Sequence, residues 1–156
     1  MKRLFYLSIF CLFALGVYAQ SYNTEKMAFT NFIVRMYENA PFEGARIVKD
    51  YENAYLISVI ALDKNQYKTE AMLNRVASVK AMAEASRFLN GSTISQETII
   101  YTSQKGNGNT DFEWIEKIRE NSVGYVRSLE QLTNFTREDG MKVYVYYKQM
   151  ESKKQK

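Results

Sequence analysis

Apolar residues recur along this chain with two different spacings, which predict helices in some segments and strands in others. Between Thr24 and Ala40 they recur every three or four residues, the spacing of an amphipathic helix, at Met27, Phe29, Phe32, Ile33, Met36 and Tyr37. Pro41 follows, and the residue before a proline is disfavoured in the helical conformation. We therefore predict a helix that ends here.

Two strands are expected next, at Ala45 to Lys49 and at Tyr55 to Leu62. Both segments are rich in Ile, Val and Tyr, and the polar run Asp50-Tyr51-Glu52-Asn53 between them favours a turn. The second segment is almost continuously apolar, as in a strand that is buried on both faces. It is therefore predicted to lie in the centre of a sheet.

The segment from Asn65 to Leu89 is predicted to be a long helix because it lacks Gly and Pro and is rich in helix-forming residues. Asn90-Gly91 supplies a residue suited to the helix C-cap. Its buried stripe is expected to consist of Met72, Val76, Val79 and Ala83, flanked by Leu73, Ala77, Ala81 and Phe88. Its many alanines would let it approach a sheet closely.

The remaining segments predict further strands and one short helix. Thr93 to Thr102 is rich in β-branched residues and favours a strand, and Thr110 to Asn121 opens like a capping box and favours a helix. Val123 to Leu132 and Lys142 to Gln149 alternate as strands do. Glu138-Asp139-Gly140 between them favours a turn, so these two segments are predicted to form an antiparallel hairpin.

The first residues have the pattern of a secretory signal peptide. Lys2 and Arg3 precede a largely apolar run from Leu4 to Val17, and Val17-Tyr18-Ala19 resembles a cleavage site. The run is shorter than the ~20 residues that a spanning helix needs. We predict a signal peptide at 1–19, one α+β domain at 20–150 and a charged tail at 151–156, with no transmembrane segment after cleavage.

The predicted fold is therefore a two-layer α+β domain. Its long Ala-rich helix packs on a mostly antiparallel sheet, and an extra helix precedes these elements.

Composition restricts the chemistry of the mature chain. The chain has no His, and its single cysteine, Cys11, lies inside the predicted signal peptide. Disulfides, thiol nucleophiles, Cys/His zinc sites and His-based acid–base catalysis are thus excluded. Phe10 before this cysteine is a poor match to a lipidation site. The net charge of +4 falls to +2 when Lys2 and Arg3 are removed, which does not favour a nucleic-acid partner.

Two polar segments contain residue types that can bind phosphate or a metal ion, but for both segments a structural role is favoured. Lys105-Gly106-Asn107-Gly108-Asn109 lacks the spacing of a phosphate-binding loop, so a flexible linker is favoured. Glu113, Glu116 and Glu120 would share one helix face, which suits a metal ion or a solvated surface. Lys117 and Arg119 beside them favour surface pairing. We predict no catalytic residue, no metal ion and no cofactor.

An aromatic face is the stronger candidate for binding. Tyr144 and Tyr146 alternate with Val143 and Val145, so one face of the last strand is expected to expose tyrosine. Together with Tyr125 and Trp114, these tyrosines are the candidate binding residues for a sugar or a peptide. Aromatic residues on strands also serve as ordinary half-buried packing residues, which is the alternative.

The order of elements also carries a resemblance to a known family. A strand, an Ala-rich helix and a strand are followed by Ile118-Arg119-Glu120-Asn121-Ser122-Val123-Gly124, by Glu138-Asp139-Gly140 and by a final strand at Val143 to Tyr147. This order resembles the N-terminal domain of flagellar assembly protein T and related small envelope lipoproteins, over about Tyr55 to Gln149. The chain differs from them in lacking the lipidation cysteine and in having the helix at Thr24 to Ala40.

The resemblance implies a two-layer scaffold or interaction module of the cell envelope without catalytic residues. The main hypothesis is thus an exported protein, periplasmic or extracellular, that is not an enzyme. It would bind another protein, either a partner or its own copies, through the sheet face or an edge strand. The alternative is a module that binds a small ligand or glycan through the aromatic face.

Overall fold

The computed structural model describes residues 24–50, 53–91, 99–101 and 122–150. Helix α1 covers residues 24–39, in the first of two compact units, Met1–Pro41 and Phe42–Lys156. The second unit contains β1 (Gly44–Asp50), β2 (Asn53–Asp63), a 3-10 turn (Lys64–Gln66), α2 (Glu70–Gly91), β3 (Ile99–Tyr101), α3 (Ser122–Arg127), β4 (Glu130–Thr136) and β5 (Met141–Met150).

Helix α1 confirms the first predicted helix. Phe29, Ile33 and Tyr37 recur every fourth residue and are buried, while Met27 is 63% exposed. The backbone N–H of Ala40 still donates to the carbonyl of Met36 at 3.0 Å. The helix ends there because Pro41 follows.

The sheet has five strands in the order β3-β1-β2-β5-β4. All neighbours are antiparallel except β1 and β3, which pair in parallel. The predicted central position of β2 is confirmed. Both faces of β2 and β5 are buried, since Leu56 and Tyr144 on one face and Ile57 and Val145 on the other have no exposed surface. Burial on both faces explains why β2 is continuously apolar.

Helix α2 packs on the sheet through a line of small and branched residues spaced four apart: Leu73, Ala77, Ala81, Ala85 and Leu89. The predicted stripe was wrong, because Met72 is 49% and Val79 is 62% exposed. The alanines bring the helix backbone close to the sheet, so that the Ser58 hydroxyl donates to the Ala81 carbonyl at 3.0 Å. Larger residues at these positions would prevent that approach.

The long helix begins later than predicted, and a separate 3-10 turn precedes it, because local side chains cap the backbone at both places. The Asp63 carboxylate accepts from the N–H of Asn65 at 2.9 Å and fixes a separate 3-10 turn. The Thr69 hydroxyl accepts from the N–H of Met72 at 3.2 Å, as an N-cap does. Helix α2 therefore begins at Glu70 and not at Asn65.

The predicted strand at Val123 to Leu132 is wrong in its first half, which is helix α3. Ser122, Tyr125, Val126 and Leu129 have helical spacing, and the last three pack with the core beneath α2. The Ser128 hydroxyl donates to the carbonyl of Gly124 at 2.8 Å and closes the helix. Strand β4 begins only at Glu130.

The predicted antiparallel hairpin with its turn at Glu138-Asp139-Gly140 is confirmed, but its first strand is Glu130–Thr136 and not Val123 to Leu132. The N–H of Gly140 donates to the carbonyl of Arg137 at 3.0 Å, and Gly140 has a φ of 83°. That left-handed conformation favours glycine. The Asp139 carboxylate accepts from the N–H of Met141 at 3.1 Å, and this bond holds the pKa of Asp139 below its usual value.

The α+β class is confirmed, with the Ala-rich helix on a mostly antiparallel sheet and an additional N-terminal helix. Of the predicted strand at 93–102, residues 99–101 are described and form β3. The predicted loop at 105–109, the predicted helix at 110–121 and Trp114 lie outside the described residues.

Leucine substitutions test the close approach of α2 to the sheet. We expect Ala77→Leu, Ala81→Leu and Ala85→Leu each to lower the free energy of unfolding by about 1–3 kcal/mol, because each alanine is fully buried. The matched control is Ala83→Leu on the exposed side, expected to change stability by no more than about 0.5 kcal/mol. Urea midpoints measure this. An equal loss in the control would contradict the orientation of α2.

Candidate functional site

The tyrosines predicted to form an exposed face are core residues. Tyr144 has no exposed surface and Tyr146 is 5% exposed, because their side of β5 faces α2. Tyr125 lies on α3, half-buried against the same core, and not on a strand. Trp114 lies outside the described residues. The expectation that Tyr144 and Tyr146 form an exposed face is therefore corrected, because both side chains are buried against α2.

A ladder of polar contacts joins α2 to β5 instead. The Lys142 ammonium donates to both carboxylate oxygens of Glu70 at 2.8 and 3.0 Å. The Tyr144 hydroxyl donates to the Asn74 side chain at 2.7 Å. Ser78, one helical turn farther along α2, interacts with the Tyr146 hydroxyl and lowers its pKa. The contacts stay in step because four helical residues rise about 6 Å and two strand residues about 6.7 Å.

The ladder holds its tyrosines in the protonated form. Burial raises the pKa of the Tyr144 hydroxyl, and burial also raises that of Tyr146. The hydrogen bond with Glu70 raises the pKa of the Lys142 ammonium, which lies 5.6 Å from the centroid of the Tyr144 ring. These side chains interact across the contact between α2 and β5, so the ladder fixes the position of α2 along β5.

The surface best suited to binding a partner is the outer edge of β4. Among the described strands, β4 ends the sheet on the side of β5. In an edge strand every second residue directs its N–H and C=O away from its neighbour, where they are available to another strand. Gln131, Asn134 and Thr136 have exposed side chains along this strand.

The composition of β4 leaves this edge weakly protected. Edge strands that avoid pairing carry lysine, proline or inward-pointing charges. The strand has neither Lys nor Pro, and its only charged residue is Glu130 at the beginning. A register shift between Gln131 and Thr133 interrupts the first part of the strand. The regular segment from Thr133 to Thr136 is thus neutral and free of protective residues.

Comparison with known proteins finds no match: neither a protein-family model, nor a curated protein, nor a solved structure matches this chain. Within the described ranges, no helix combines the length and apolar character needed to cross a membrane. In the same part of the chain, no three Asp, Glu, His or Cys side chains converge as they would around a metal ion.

Two features of this region were missed by the sequence reasoning. The ladder could have been found from Glu70, Asn74 and Ser78, whose four-residue spacing matches the two-residue spacing of Lys142, Tyr144 and Tyr146. The edge position of β4 has no local signal, because an alternating strand has the same pattern at the edge as in an antiparallel centre.

Alkaline titration tests the ladder. Burial raises the pKa of Tyr144 above the ordinary value of 10 in the folded protein. The contribution of this tyrosine to stability is therefore fully present below about pH 10 and is lost as the pH rises further, because the unfolded chain releases its proton first. Between about pH 9 and pH 11.5, we expect the free energy of unfolding of Tyr144→Phe to fall less than that of the wild type. The double variant Tyr144→Phe and Tyr146→Phe should show the smallest fall. Urea midpoints across this range measure the difference.

Every variant in this series retains Lys142 and its hydrogen bond with Glu70, which is the largest cause of the raised Lys142 pKa, so this contribution is common to all three proteins. Parallel pH curves for all three proteins would contradict the burial of the hydroxyls.

Proposed function

We propose that this chain is an exported, non-enzymatic protein of the cell envelope that binds another protein by strand addition at β4. The observation that carries the proposal is the neutral segment from Thr133 to Thr136, which has neither Lys nor Pro and lies in the strand that ends the described sheet beside β5. Strand addition obtains affinity from main-chain hydrogen bonds and specificity from alternate side chains. Asn134 and Thr136 would provide that specificity on one face of the extended sheet.

Rigid support behind the edge favours this use of β4. Strand β5 pairs with β4 on one side and with β2 along its whole length on the other. The ladder fixes β5 to α2, through Tyr144 opposite Asn134 and Lys142 opposite Thr136. A preorganised template loses less conformational entropy on binding than a mobile one.

Export is supported by the N-terminal sequence. The basic start, the apolar run and Val17-Tyr18-Ala19 together have the three parts of a secretory signal. An envelope location agrees with the resemblance to the N-terminal domain of flagellar assembly protein T, whose relatives serve as scaffolds. We include an interaction role in the periplasm or at the cell exterior in the proposal for this reason.

The glycan-binding alternative has less support. It depended on exposed Tyr144 and Tyr146, and both are buried against α2. Stacking on a sugar needs the face of an aromatic ring to be accessible. The described strand β5 offers no such ring on the side of these two residues.

Signal processing is tested by the mass of the secreted protein. We expect the exported form to begin at Gln20, because the small residue Ala19 would precede the cleaved bond. Ala19→Leu should leave the precursor uncleaved, whereas the matched control Tyr18→Phe should be processed normally. Intact-mass spectrometry of the envelope fraction measures this. A mature protein that retains Met1 would contradict export through this signal.

Strand addition is tested with a photo-crosslinking residue at Gln131, an exposed edge position, in the native host. We expect it to capture a specific protein, and Asn134→Lys to remove that product because lysine opposes pairing at a strand edge. Crosslinked bands are quantified by immunoblot and identified by mass spectrometry. The neutral variant Asn134→Thr should retain the product.

A second control separates charge from position. Ala71→Lys adds the same charge at an exposed site on α2 and should leave the product unchanged. A product that survives Asn134→Lys, or that is lost equally in Ala71→Lys, would show that β4 is not the binding edge. Crosslinks only between two copies of the chain would assign β4 to self-association.

A further inference from the structure

A second apolar stripe lies on the side of α2 that faces away from the sheet. Met72 is 49% and Val79 is 62% exposed, and Ala83 is also exposed. Val76 lies beside them, partly buried against the edge of the core. Single exposed apolar residues are ordinary on a protein surface. Here three exposed residues and the partly buried Val76 are aligned on one side of the helix over about three turns. The helix therefore has an apolar line on each of two opposite sides.

The spacing of this outer stripe is that of a coiled-coil seam. The intervals from Met72 to Val76, Val79 and Ala83 are four, three and four residues, so Met72 and Val79 occupy d positions and Val76 and Ala83 occupy a positions. A β-branched residue at an a position is common in helix pairs. The apolar part spans about 18 Å, which corresponds to less than two heptads.

Basic residues flank the stripe on both sides. In the same heptad assignment Arg75 occupies a g position, and Lys80 and Arg87 occupy e positions, which determine the choice of partner. All three are exposed. Glu84, which lies farther towards the core, is ion-paired with Arg87 and offsets part of its charge. Glu70 is bound to Lys142 at the beginning of the helix.

These flanks disfavour a second copy of the chain as the partner. Pairing of two α2 helices would bring Arg75 near the basic e positions of the other copy, and like charges across a helix interface oppose association. A partner with Glu or Asp at its flanking positions would form opposite-charge pairs instead. We propose that the outer stripe of α2 docks an acidic amphipathic helix of another protein.

This docking surface is separate from the edge of β4. The short seam gives weak, reversible binding, with a dissociation constant on the order of micromolar. The charged flanks provide the orientation of the bound helix and a dependence on salt concentration, because exposed charge pairs are screened by ions.

The test uses a fluorescein-labelled peptide of about three heptads with Leu at a and d and Glu at e and g. The matched probe carries Lys at e and g. We expect fluorescence anisotropy with the protein of residues 20–156 to show at least about tenfold tighter binding of the acidic peptide. Val79→Glu should reduce this binding at least about tenfold, and Ala71→Glu, an exposed site outside the seam, should not.

Reversal of the flanking charges gives a stricter test. The double variant Arg75→Glu and Lys80→Glu should prefer the basic peptide, while Asn134→Lys on β4 should bind the acidic peptide as the wild type does. Circular dichroism confirms that each variant is folded. Equal binding of the two peptides, or no binding of the acidic peptide, would overturn the proposal.

Other occupants give different results in the same variants. If sedimentation analysis shows a dimer and Val79→Glu makes it dissociate, the stripe would be assigned to a second copy of the chain. Binding to phosphatidylglycerol vesicles that Val79→Glu removes would assign it to a membrane surface. Tighter peptide binding in a variant with Glu113→Lys and Glu116→Lys would assign it to this chain's own acidic segment. Each of these outcomes would overturn docking of a partner helix.

Discussion

The close contact between the alanine line of α2 and the centre of the sheet determines the arrangement of this unit. Ala77, Ala81 and Ala85 have no atoms beyond Cβ, so the helix backbone lies near enough to β2 for Ser58 to reach the Ala81 carbonyl. Apolar burial in the contact comes mainly from the ends of the line, where Leu73 and Leu89 each contribute about 1.5–3 kcal/mol. The three alanines in the middle allow the helix and the sheet to approach closely but bury little apolar surface themselves.

The short distance between α2 and the sheet determines which longer side chains come into contact beside the three alanines. At the distance set by the alanines, Tyr144 extends across the interface and its hydroxyl reaches Asn74, while Lys142 reaches Glu70. A buried hydroxyl without a partner would oppose folding, whereas a bonded one fixes the position of the helix. Tyr144 and Tyr146 of β5 are therefore part of the packing against α2.

The sequence was informative where a local signal determines the structure. Residues 24–39 and the hairpin around Gly140 follow from local signals, a proline stop and a turn that requires a left-handed residue. The central position of β2 followed from its continuous apolar run, since only a strand covered on both faces has that composition. Each of these features is determined within a few residues of chain.

Other features depended on contacts between distant residues. Helix α2 carries two apolar lines, and choosing the bulkier one as the buried face was wrong because close approach favours alanine. Residues 122–127 fit both a strand and a helical spacing, and packing of Tyr125 and Val126 beneath α2 favours the helix. Likewise, Tyr144 was expected on a free face because nothing in the local pattern shows that β5 is covered on both sides.

The ladder also connects the two proposed binding surfaces. Strand β5 places Lys142 and Tyr144 against α2, and the same two residues stand opposite Thr136 and Asn134 of β4. The outer stripe of α2 and the edge of β4 are thus both attached to the same strand, β5. A partner that contacts both surfaces must therefore match a fixed separation, and its second contact gains from the high effective concentration that such a geometry provides.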